Sequence, residues 1–115
     1  MSLDGKTVGY LIAMLRLDSA DILNIGIDPG FKRHGHGTAL LNHLIEELRK
    51  RDIGEILLEV RAGNKPAIQF YKRQGFEEIS VRKNYYTKNS KNQSHREDGI
   101  MMGLKIPSTE IKNAL

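Results

Sequence analysis

The chain of 115 residues contains no cysteine. That removes a disulfide framework, a thiolate nucleophile and sulfur ligation of a metal from its chemistry. No apolar run approaches the roughly 20 residues that span a bilayer. The opening MSLDGK also has neither the basic start nor the apolar stretch of a signal peptide. These absences lead to the expectation of a cytoplasmic protein with no membrane partner. His34, His36, His43 and His95 show no convergent spacing, so no metal is expected. No segment repeats and no linker composition interrupts the chain, which reads as a single domain over residues 1–115 with one core.

What is present is positive charge and a regular change of periodicity. A net charge of +4 and a pI near 9.4 suggest an anionic partner, with nucleic acid and a phosphorylated small ligand both open on charge alone. Val8, Tyr10, Ile12 and Met14 alternate with smaller or polar neighbours, the pattern of a half-buried strand over about Thr7 to Leu17. Asp21 to Ile27 reads as a second strand. From Thr38 the residues Leu40, Leu41, Leu44, Ile45 and Leu48 take helical spacing, with Arg49-Lys50-Arg51 at the negative end of the dipole and a stop near Asp52. EILLEVR, Glu55 to Arg61, is apolar enough for a strand covered on both faces. Asn64-Lys65-Pro66 marks the cap and first turn of a second helix that Gly75-Phe76 ends. Phe76 to Tyr86 and Gly99 to Ile106 read as strands around a polar loop, Lys88 to Arg96. The fold class is mixed α/β.

Two glycines stand where strand gives way to helix, in FKRHGHGTALL from Phe31 to Leu41. Glycine permits close backbone approach, and the N–H groups of a helix start, with the macrodipole, form a site for anions such as phosphate. Lys32, Arg33 and His34 bring charge to the same loop. An isolated G-x-G is as readily a tight turn and nothing more. The spacing and Lys-Ser/Thr pair of a P-loop are missing, as is the third glycine of a dinucleotide fingerprint.

The run K-R-H-G-H-G, Lys32 to Gly37, resembles the Q/R-x-x-G-x-G/A signature of the GNAT N-acetyltransferases, with Lys32 where that family carries Gln or Arg. A second block, LEVRAGNKPAIQFYKRQGF from Leu58 to Phe76, is similar to the L-E-V-R-x-x-N-x-x-A-x-x-x-Y-x-x-x-G-F run of the ribosomal-protein-alanine N-acetyltransferases. RKNYY (Arg82 to Tyr86) and REDGIMM (Arg96 to Met102) extend the likeness, which covers Asp4 to Ile106. The resemblance implies the GNAT acyl-CoA N-acyltransferase fold, with acetyl-CoA as cosubstrate between two parallel strands. GNAT domains carry an earlier strand and a helix pair, so the resemblance implies an N-terminally shortened chain lacking those elements. An exposed edge near Thr7 to Leu17 and a homodimer are then expected.

By the same resemblance, Arg33, His34, Gly35, His36, Gly37 and Thr38 hold the pyrophosphate, and the backbone of Ile25, Gly26 and Ile27 pairs with the pantetheine arm. Asn64 adds a hydrogen bond to that arm, or serves only as a helix cap. Glu59 is the general base and Tyr71 the general acid. From the residues alone, Glu59 is equally a carboxylate paired with Arg61, which shares its face, although burial in an apolar strand would raise its pKa. Tyr71 shares a helical face with Ala67 and Ile68 and is equally a packing residue. The acceptor implied is a protein N-terminal α-amine, of ribosomal-protein type, with no direct nucleic-acid contact. The alternatives are a GNAT acting on a small-molecule amine or a lysine side chain, and a nonenzymatic coenzyme A or nucleic-acid binding module.

Overall fold

The protein is described by a computed structural model over residues 2–3, 6–7, 9–27, 30, 35–87 and 96–107. Its elements run β1 (Ser2–Leu3), β2 (Lys6–Thr7), β3 (Gly9–Leu15), β4 (Ala20–Ile27), α1 (His36–Lys50), β5 (Glu55–Arg61), α2 (Lys65–Arg73), β6 (Glu77–Thr87) and β7 (Arg96–Lys105). They form two compact units, residues 1–56 with 106–115, and residues 57–105.

In the first unit β1 and β2 pair antiparallel as a small separate sheet, Ser2 opposite Thr7. Strands β3 and β4 pair antiparallel from Gly9↔Ile27 to Leu15↔Ala20. The register shifts where Ile12 faces Asn24 but Ala13 faces Ile22, which leaves Leu23 as the extra residue of a bulge. The large residues of the β3 alternation are not its buried ones: Tyr10, Ile12 and Met14 are 47%, 51% and 48% exposed. Their small neighbours take the face toward α1, where a Cβ on Gly9 would lie 3.4 Å from Leu40 Cδ1. The missing side chain at Gly9 lets α1 approach closely there. Val8 lies outside the described residues. The core of this unit is built from Ala20, Ile22, Leu41, Leu48, Ile53, Ile56 and Ile106.

Helix α1 starts two residues before the apolar spacing begins, at His36. It ends in a Schellman arrangement: Ile53 N–H donates to Leu48 O at 2.9 Å and Asp52 N–H to Arg49 O at 3.2 Å. Asp52 takes the left-handed conformation this requires, at φ 58°, and Ile53 is buried beside it.

The second unit has the strand order β5-β7-β6. Strand β5 occupies its expected span, but only one face is fully buried: Ile56, Leu58 and Val60 are inside, Leu57 and Glu59 half-buried, and Arg61 exposed. Strand β7 begins at Arg96, three residues before the expected Gly99, because its charged start is held by backbone pairing of Arg96 with Thr87 and Glu97 with Tyr86. Two further bonds anchor it: Gly63 N–H donates to Glu97 Oε1 at 2.9 Å and Ala62 N–H to Asp98 O at 2.9 Å. Helix α2 ends as α1 does, with Phe76 N–H donating to Tyr71 O at 3.0 Å and Gly75 at φ 104°. The core here is Leu58, Val60, Tyr71, Phe76 and Met102. The polar segment 88–95 lies outside the described residues.

Candidate active site

The residues singled out in the sequence fall into two groups, one in each unit. In the first, Ile25, Gly26 and Ile27 form the end of β4, half-buried and opposite Leu11, Tyr10 and Gly9. A Cβ at Gly26 would lie 2.6 Å from Tyr10 Cε1 and 2.8 Å from Cζ, in the place of the half-exposed ring. The backbone at this strand end is therefore bare of its own side chain, with the Tyr10 ring over it. Gly35 is the N-cap of α1 at φ 79°, with open space where a Cβ would stand. Glycine offers no side-chain oxygen to cap the first turn, and that turn carries no acidic residue. The N–H groups and macrodipole at a helix start favour an anion. His36, Gly37 and Thr38 make up the first turn itself. Arg33 and His34, with Lys32, lie outside the described residues.

In the second unit Glu59 projects from the half-buried face of β5. Its Oε2 forms an ion pair with Arg82 on β6, Nε lying 3.1 Å away, with Glu59 18% and Arg82 53% exposed. Asn64 is the N-cap of α2, and its Oδ1 accepts from Ala67 N–H at 3.3 Å. Its Oδ1 is thus committed to the helix, while Nδ2 carries the donors it can offer elsewhere. Tyr71 is buried, with its ring edge-on to Phe70 at 5.4 Å and to Phe76 at 5.5 Å between centroids. Burial pushes its phenol above the ordinary value of 10.0, so it stays protonated through neutral pH. Sequence reasoning missed the partners Arg82 of Glu59 and Glu97 of Gly63. Both sit on strands distant in sequence from these partners, and only the strand order β5-β7-β6 brings them in.

The second unit thus holds a carboxylate on a strand and a protonated phenol on a helix, and the first a helix start with no acidic residue after a glycine-bearing strand end. Acyl transfer from a thioester to an amine calls for a proton acceptor and a proton donor. The family model for the Acetyltransferase (GNAT) family matches residues 1–76. The chain is 45% identical over 103 residues to the ribosomal protein bS18-alanine N-acetyltransferase of Escherichia coli strain K12, covering 90% of this chain and 67% of that protein. The crystal structure of the ribosomal-protein-S18-alanine N-acetyltransferase from Escherichia coli superposes with a TM-score of 0.83 at 42% identity, covering 94% of this chain and 67% of that one. A GNAT family acetyltransferase from Elizabethkingia anophelis with acetyl-CoA bound shares the fold, with a TM-score of 0.78 at 18% identity over 90% of this chain and 72% of that one. The chain belongs to the GNAT acetyltransferase family. It spans about two thirds of the length of the curated relative, 67%.

Proposed function

We propose that the chain transfers the acetyl group of acetyl-CoA to the α-amine of an alanine at the N-terminus of a ribosomal protein. The observation that carries this reading is the 45% identity, over 90% of the chain, to a relative named for that reaction. Both units are read as one GNAT domain, since the family match over residues 1–76 runs past the boundary at Ile56. A ribosomal acceptor assigns the reaction to the cytoplasm. Among the described residues no helix is long and apolar enough to cross a membrane.

In this reading the first unit and Asn64 bind, and Glu59 and Tyr71 react. Backbone at Ile25 to Ile27 pairs with the pantetheine arm, and the loop and helix start from Arg33 to Thr38 receive the pyrophosphate, with Asn64 Nδ2 donating to the arm. The acceptor nitrogen, entering neutral, attacks the thioester carbonyl, and its proton passes to the Glu59 carboxylate. The C–S bond then breaks, and the departing thiolate takes the Tyr71 hydroxyl proton. The test is incubation with acetyl-CoA and a panel of peptides and amines, followed by mass spectrometry. Acetyl groups on the α-amine of alanine-initiated peptides are expected. Acetylation confined to lysine side chains or small amines, or coenzyme A binding with no transfer, would overturn the reading.

A further inference from the structure

Strand β7 carries Gly99 and Gly103 at positions that share one face, and β7 lies between β5 and β6. Across the second gap the outer strands meet: a Cβ on Gly103 would lie 3.3 Å from Leu57 Cδ2 of β5 and 2.6 Å from Ile79 Cδ1 of β6. The register sets Arg82 opposite Gly99, so its side chain stands at the first gap on that same face. From there it spans β7 to Glu59, with Nε 3.1 Å from Oε2. Two strand spacings of about 4.8 Å separate β6 from β5, a distance an arginine can bridge when the residue beneath it has no side chain.

We propose that Arg82 is a positioning residue, reaching across Gly99 to fix the direction of the Glu59 carboxylate that receives the acceptor's proton. The inference rests on Glu59 being the base. A glutamate on a strand has three side-chain torsions, the last of them broad, and a planar guanidinium held against the carboxylate as an ion pair restricts them. With Arg82 53% exposed, water screens the pair and its contribution to stability is small. Its consequence is geometric, and Arg82 variants are expected to fold.

The test measures kcat and KM for acetyl-CoA and an alanine-initiated peptide in the full chain, together with melting temperature. Arg82→Met is expected to lower kcat about tenfold, less than removal of a general base, with KM for acetyl-CoA unchanged. Arg82→Lys should recover part of the loss, and Gly99→Val should reproduce it with Arg82 intact. In a Glu59→Gln background Arg82→Met should cause no further loss, because two residues acting as one unit are not additive. An unchanged kcat in Arg82→Met, or a full tenfold further loss in the Glu59→Gln background, overturns the proposal. Failure of the functional reading looks different: the parent chain itself then acetylates no peptide, and the assignment of Arg82 falls with it.

Discussion

Helix α1 starts on Gly35, which has no side-chain oxygen to offer its first turn, whereas α2 starts on Asn64, whose Oδ1 accepts from Ala67 N–H. In other respects the two helices are built alike. Each has basic residues in its last turn, Arg49 and Lys50 in one, Lys72 and Arg73 in the other. Each closes with the same Schellman pair of hydrogen bonds and a buried apolar residue after it. The difference at the starts is one of side-chain chemistry: one helix carries its own cap and the other leaves its N-cap position bare. In the proposed reading the candidate residues of the first unit act largely through backbone, and Glu59, Asn64 and Tyr71 of the second through side chains.

The comparison breaks most visibly if chemistry and binding fail to separate. Tyr71→Phe and Glu59→Gln are each expected to lower turnover by about 10²- to 10⁴-fold, with the coenzyme A thermal shift retained. Parental rates in both variants would return these residues to structural roles. Gly35→Val comes next: it is expected to abolish stabilisation by coenzyme A, which amounts to about 2.7 kcal/mol at a hundredfold excess over Kd. Gly35→Asn, a residue that tolerates positive φ, should fold normally and separate strain from lost binding in the same melting assay.

A third variant sharpens the contrast at α2. Asn64→Ala is expected to destabilise the fold by about 1 kcal/mol through the lost cap. Asn64→Asp keeps the cap oxygen and should restore stability while leaving coenzyme A binding weakened, because the Nδ2 donors are gone. Denaturant titration with and without coenzyme A distinguishes the two effects. At the helix ends, Asp52→Gly should relieve a left-handed non-glycine residue and stabilise by about 0.5 kcal/mol. The smallest effect is confined to alkaline solution. The Tyr71 phenol is raised by burial above 10.0, so above that pH the unfolded chain loses this proton while the folded one keeps it. Stability from this residue is fully present below pH 10 and is lost as pH rises through the folded value. Tyr71→Phe should flatten that alkaline decline.

Much of this was legible in the sequence where signals were local. Strand β5 is legible at both ends because a strongly apolar run is followed by the Asn64 cap and Pro66, although only one of its faces is fully buried. The alternation in β3 marks a half-buried strand without telling which face is buried, and Tyr10, Ile12 and Met14 lie on the exposed one. The bulge at Leu23 leaves no mark in composition, and neither does the one at Ile79, which sets the register that brings Arg82 opposite Gly99. The Glu59–Arg82 pair follows from that register and from a glycine in a strand interior, a signal of close approach that gains meaning only once the strand order is known.

The hydrogen bond from Gly63 N–H to Glu97 Oε1 joins residues 34 apart in the chain. During synthesis or refolding the segment from Glu55 to Arg73 can assemble its strand and helix from local contacts, but the turn between them lacks this acceptor until β7 docks. Pairing a strand across so long a loop is slow relative to helix formation. The α2 start, and with it the seat of Asn64, is therefore expected to mature late, and the Gly63 amide should gain protection from hydrogen exchange in step with β7 rather than with the helix it precedes.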